Sequence, residues 1–326
     1  MNRRAFITSL AVGALLAPRS ADAQRTKGVH RIGWLSPASA ADGLPNLEAL
    51  RAGLRELGYV EGRNLAIEAR WANGRIERLP SLAADLIRLS VDILCTAGSQ
   101  ASGAAKQATS TIPIVFTNVA FPDKSGLVRS YASPGGNVTG VAFMGPEYGK
   151  RLELLKEAQP GLSRVALIYN PDNPGSVLAL QETQRWTTAL RISLEPHGFR
   201  GPHDFERVFG AIADKRPDAL MTTADPLIAS YRVQIVDFAA KHRLPSMYPT
   251  MEFVDAGGLM FYGGSIPEMY RRAAAYVDKI LKGASPTDLP VEQPTKFDMV
   301  INMKTARALG IVIPQSILVR ADRMIE

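Results

Sequence analysis

The side chains of this sequence that could do polar chemistry gather at a few junctions. In LCTAGSQASGAAKQATSTIPIVFTN (94–118) an apolar run stops at Ala-Gly-Ser-Gln, where Gly98 lets the backbone come close and Ser99 and Gln100 carry hydrogen-bond donors. The N–H groups that open a following helix would face the same spot and favour an anion. Ser99 also suits a helix cap, a role worth about 1 kcal/mol and compatible with ligand contact. Ser36, before Pro37, repeats the pattern after an earlier apolar run. YNP (169–171) and ADP (224–226) set Asn170 and Asp225 before a proline, the signature of a helix cap with Pro in the first turn. Asp225 could equally accept from a ligand ammonium. Tyr248, Tyr262 and Phe121 stand at the ends of apolar runs, either as an aromatic wall or as core.

Reactive constellations are missing. The chain has no GxxxxGK[ST], no GxGxxG after its first apolar run and no GxSxG. Its four histidines are scattered and form no HExxH. Cys95, the single cysteine, is a possible nucleophile, but a thiol inside an apolar strand is usually inert. The residues describe binding without covalent change, with no cofactor and no metal.

Those junctions need elements to hold them. Apolar runs at 29–36, 65–71, 91–97, 112–118 and 137–143 read as strands, with helices between them. The pattern restarts with strands at 164–170, 192–196, 218–224, 244–249 and 258–264, and with helices at 148–158, 177–190, 205–215 and 227–242. A further long helix carries Met269, Ala273, Tyr276, Val277 and Ile280 on one face; a Pro-rich connector (283–294) and a strand at 297–303 follow. Strands alternating with helices imply parallel sheets covered on both faces. The fold class is therefore α/β, with two doubly wound lobes joined by a hinge. The first lobe is expected over 28–143 plus about 250–285, and the second over 144–249 plus about 295–326. Crossings are expected at 143–146, at 248–250 and in the connector, framing a cleft.

The composition, 46% hydrophobic and 21% charged over 326 residues, is that of a globular protein large enough for two lobes. Residues 1–23 have a basic start (Arg3, Arg4), an apolar stretch and Ala-Asp-Ala, the layout of an export signal cut after Ala23, with a twin-arginine character. The formal charge is +7, and the three arginines and one aspartate of 1–23 leave +5 without them. That is weak ground for a nucleic-acid partner in an exported chain, and none is expected.

Long stretches also resemble one family. LRAGLRELGYVEGRNLAIEARWANGRIERLPSLAADLIRLSVDIL, AAKQATSTIPIVF, SPGGNVTG, KRLELLKEAQP, AGGLMFYG and VINMKTARALGIVIP are similar to the solute-binding components of ABC transporters, of the type I periplasmic-binding fold. The resemblance runs from about residue 30 to the end. It implies a monomeric periplasmic receptor that closes over a small solute and presents it to an inner-membrane permease; a sensory receptor presenting its ligand to a membrane signalling protein is the alternative. Some relatives bind aromatic amino acids, which suits a carboxylate at Ser99 and an ammonium near Asp225. TNVAFPDKSG (117–126) departs from the Gly-Asp-Pro-like turn of relatives: Asn118 and Phe121 stand where an acidic group and a glycine are expected, which implies a more apolar or less basic ligand.

Overall fold

Runs such as ILCTA and VTGVAF have no polar face, so they are stable only where both sides of a sheet are covered. The computed structural model describes residues 28–143 and 147–326, and it buries both runs completely. They belong to a first sheet of β1 (His30–Ser36), β2 (Leu65–Trp71), β3 (Ile93–Ala97), β4 (Ile114–Ala120) and β5 (Val138–Phe143). All pairings are parallel and the order is β2-β1-β3-β4-β5. Helices α1 (Ala40–Glu56), α2 (Leu79–Arg88) and α3 (Gly98–Ala108) supply the crossovers.

After β5 the chain enters the second lobe through α4 (Glu147–Ala158), β6 (Arg164–Tyr169), α5 (Pro174–Leu190), β7 (Ser193–Gly198), α6 (Phe205–Lys215) and β8 (Ala219–Thr222). It continues through α7 (Pro226–Ser230), α8 (Arg232–Lys241), β9 (Ser246–Tyr248), α9 (Met251–Asp255) and β10 (Met260–Gly263). Helix α10 (Ile266–Leu281) then precedes β11 (Asp298–Asn302), α11 (Met303–Leu309), α12 (Gln315–Leu318) and β12 (Arg323–Ile325). The second sheet runs β12-β11-β10-β9-β8-β6-β7, parallel except between β10 and β11.

Three sequence expectations change. The apolar run 258–264 pairs with β9 (Met260 beside Met247) and so belongs to the second sheet. The chain therefore returns to the first lobe after Gly263, not at 248–250. Second, the helix expected over 227–242 breaks at Tyr231, whose φ of −110° and ψ of 21° leave the helical region and divide α7 from α8. Third, the C-terminal tail adds a strand beside β11.

Helix α10 packs its apolar stripe on α1: Met269, Ala273, Tyr276, Val277 and Ile280 share one core with Leu47, Leu50 and Leu54. The Pro-rich connector lies along β5, where Glu292 accepts from Ala142 N at 2.8 Å and donates its own N–H to Gly140 at 3.1 Å. Gly264 marks the meeting of the second and third crossings, since a Cβ there would stand 3.0 Å from both Met269 Cε and Pro294 Cβ. No helix among the described residues is long and apolar enough to cross a membrane.

Candidate functional site

Side chains at the carboxyl ends of parallel strands face the gap between the lobes. A cavity of about 640 Å³ occupies that gap, within the range of small-molecule sites. Ser36, Asp42, Ala97 and Asn118 wall it from the first lobe; Asp225, Arg232, Thr250 and Glu252 wall it from the second. Gly264, Ser265 and Tyr270, from the second crossing and the start of α10, close its back.

Three of the residues singled out from the sequence reach this wall. Ser36 is buried and its Oγ accepts from Ala38 N at 3.2 Å, which leaves the hydroxyl proton to donate. Asn118 has φ +59°, a left-handed conformation that Asn tolerates better than most residues. It forms a bulge in β4, where the register against β5 shifts between Thr117 and Val119. Asn118 Oδ1 has no hydrogen-bond partner among the described residues. Asp225 is buried and fully engaged: it accepts from Asn173 Nδ2 at 2.6 Å, Asn170 Nδ2 at 3.1 Å and Ile228 N at 3.0 Å. Burial pushes its carboxyl up, and those donors pull it back. Its cap and its place on the wall coexist.

The other six stand elsewhere. Ser99 makes no side-chain cap; α3 starts from Ala97 without one. Its Oγ faces α5 of the second lobe, where a Cβ on Gly175 would come within 2.5 Å. Gln100 donates to the Asp172 carbonyl at 3.1 Å, also across the lobes. Gln100 thus fastens one lobe to the other and Ser99 packs against the opposite lobe; neither is among the residues that line the cavity. Asn170 is buried behind the wall, holding Asp225 and capping the turn at Asp172 N (3.0 Å). Phe121 stacks on Tyr148 with ring centroids 6.1 Å apart, and Tyr248 on Phe253 at 4.6 Å, both in the core. Tyr262 stacks on Phe297 at 5.9 Å, and its carbonyl accepts from Arg151 Nε at 2.7 Å. The aromatic wall is instead Tyr270 and Phe261.

Asp42, Arg232, Thr250, Glu252 and Tyr270 were not singled out from the sequence. Arg232 Nη1 pairs with Asp42 Oδ1 at 3.1 Å, joining α8 to α1 across the cavity mouth. Thr250 Oγ1 donates to Glu252 Oε2 at 2.9 Å, and burial pushes the Glu252 carboxyl up. One local signal was available: Ser39 accepts from Asp42 N at 3.2 Å, a cap that starts α1 well before Leu47 and brings Asp42 to the strand ends. Cys95 lies fully buried in β3, where burial pushes its thiol up to about 12 and keeps it protonated at neutral pH.

Comparison with known proteins agrees with this architecture. A curated relative, the tyrosine-binding protein of Clostridioides difficile (strain R20291), is 26% identical over 271 residues, covering 82% of this chain and 78% of the relative. Among solved structures, a conserved domain protein from Vibrio cholerae superposes with a TM-score of 0.87 at 28% identity, over 91% of this chain and 99% of that one. The ABC domain from Streptococcus pneumonia in complex with L-Trp gives 0.84 at 25% identity, over 90% and 100%. The model of the family described as ABC transporter substrate binding protein matches residues 42–325. With two α/β lobes, three crossings and a cavity between them, the chain has the type I periplasmic binding protein fold and belongs to the ABC transporter substrate binding protein family.

Proposed function

We propose that this chain is the periplasmic receptor of an ABC importer, which captures an amino acid or a related aromatic solute and passes it unaltered to an inner-membrane permease. The observation that carries the reading is the 640 Å³ cavity walled by both lobes. Contacts from both walls exist together only when the lobes are shut, so a ligand shifts the hinge equilibrium toward closure. Ser36, Asn118 and Asp225 are the contacts offered by strand ends, and Tyr270 is the aromatic one. The relatives named for tyrosine and L-Trp support an amino acid of aromatic type. Export through residues 1–23 belongs to the same reading; that segment lies outside the described residues.

Calorimetric titration of the protein from Gln24 onward with the amino acids and aromatic acids, followed by X-ray scattering, tests it. The bound protein is expected to have a smaller radius of gyration than the free one. Binding without compaction, or turnover of the bound compound, refutes the proposal.

A further inference from the structure

The cavity is longer than its strand-end wall. Along the second sheet it is lined from five neighbouring strands or the turns that leave them. These residues are Asp225 after β8, Thr250 after β9, Phe261 on β10, Val300 on β11 and Arg323 on β12. Neighbouring strands stand about 4.8 Å apart, so the steps from β8 to β12 carry the cavity roughly 19 Å along the sheet. Its 640 Å³ is not the volume of a gaping cleft. The lobes already touch, at Gln100 and the Asp172 carbonyl (3.1 Å) and at Arg232 and Asp42 (3.1 Å). A single aromatic amino acid seated at Ser36, Asn118 and Asp225 would leave the end at β11 and β12 unfilled.

That far end differs in chemistry from the near one. Phe261 stands opposite Val300, and Val300 opposite Arg323, so the three form one row on one face of the sheet. Phe261 and Val300 pack with Val254 of α9, and the partly buried Met251 lies against them. Arg323 reaches over the same spot, its Nη2 donating to Met251 Sδ at 3.3 Å. The other polar groups of this end hold one another or the backbone. Lys296 pairs with Asp298 at 3.0 Å, and Asp322 accepts from Met299 N at 2.7 Å. What remains to meet a ligand is apolar. Its most adaptable piece is Met251, an unbranched side chain of the kind that fills irregular gaps and repacks around whatever enters.

We propose that the cleft takes an elongated solute, with its head at Ser36, Asn118 and Asp225 and an apolar tail along Met251, Phe261 and Val300. This rests on the receptor reading above and deepens it. The ligand class becomes a head-and-tail molecule: an aromatic head joined to an aliphatic second half, as an aryl-alkanoic acid or as a dipeptide of an aromatic and an aliphatic residue.

The test is calorimetry with the full protein and two graded series that separate those sources. One runs from 3-phenylpropanoate to 8-phenyloctanoate. The other compares tyrosine and tryptophan with their dipeptides carrying glycine or leucine at either end. Each added methylene is expected to tighten binding about 4-fold until the far end is full, and leucine to exceed glycine by about 10-fold or more. The series that gains identifies the molecule. Met251→Trp fills the far end, so it should erase the gain and leave the shortest compound at wild-type affinity. Met251→Ala should move the levelling-off to longer tails. Wild-type affinity that is flat or falls with length in both series overturns the proposal. So does a folded Met251→Trp protein that keeps the gain, since the tail then lies elsewhere. If Met251→Trp does not fold, the wild-type series and Met251→Ala decide. If only single amino acids bind and compact the protein, the proposal fails and the receptor reading survives. If no compound of either series compacts it, both fail.

Discussion

At the scale of single residues, the polar groups around the cavity divide into those already satisfied and those still open. Asp225 is of the first kind, with three donors on two oxygens. Replacing it with Ala removes the cap of α7, worth about 1 kcal/mol. It also strands the buried Asn170 and Asn173 amides, at about 1–3 kcal/mol for each unsatisfied group. We expect Asp225→Ala to lower stability by about 3 kcal/mol in chemical denaturation, a loss present with or without ligand. A ligand-only effect would show that the carboxylate serves the solute alone. The Asp-Pro pair made the cap of α7 visible in sequence, because caps are local. Asn170, expected as a helix cap, instead holds a turn, and Asn173 caps α5. Glu252 and Arg232 were invisible, because nothing local says that a five-residue helix and the start of α8 will meet Asp42 from the other lobe.

At the scale of elements, the central strands could be read because both of their faces are covered and the runs carry no polar alternation; the edge strands β2 and β7 are only partly covered and mix polar with apolar residues. What could not be read are the irregularities that aim side chains. The bulge of β4 sets Asn118, and the turn after the strand sets Phe121, in left-handed conformations (φ +59° and +50°), and neither residue is a glycine that would have announced it. Gly140 in β5 is opposite in kind. Its φ is +153°, and a Cβ would stand 2.0 Å from the Phe116 carbonyl oxygen across the ladder. Gly140→Ala should therefore cost about 3 kcal/mol or more through overpacking against backbone, measured as a fall in denaturation midpoint. Unchanged stability would mean that β4 and β5 can separate locally. The return of the chain after Gly263 was misplaced because the apolar run 258–264 fits either lobe, and only pairing with β9 decides between them.

At the scale of the whole molecule, one ion pair joins the lobes and another is buried within α4 beside the hinge. Asp42–Arg232 spans the cavity mouth and is partly solvated, so it weakens with salt. Arg232→Ala should enlarge the ligand-free protein in solution scattering, and raising the salt should enlarge the wild type in the same direction; equal radii in both would deny the pair any part in closure. Arg151–Glu147, at 2.8 Å, is buried beside the hinge, with Arg151 Nε on the Tyr262 carbonyl at 2.7 Å and the guanidinium over the Tyr148 ring. Burial pushes the Glu147 carboxyl from 4.5 up to about 7, while Arg151 pulls it down. An acid with a folded pKa above its unfolded one keeps its proton better when folded, so stability is fullest below the unfolded value and is lost as pH rises through the folded one. Arg151→Leu leaves Glu147 alone, and we expect it to cost about 3–5 kcal/mol near pH 8 and clearly less near pH 5.5. A cost independent of pH would place the loss in packing. The joint itself sets the kind of movement available. Glu292 is laddered to β5, and Gly264 is pressed against Pro294, so the second and third spans lie against each other like neighbouring knuckles of a door. Spans so joined favour swinging about their common line over sliding past one another, so that under the receptor proposal a guest would be admitted and shut in along a single arc.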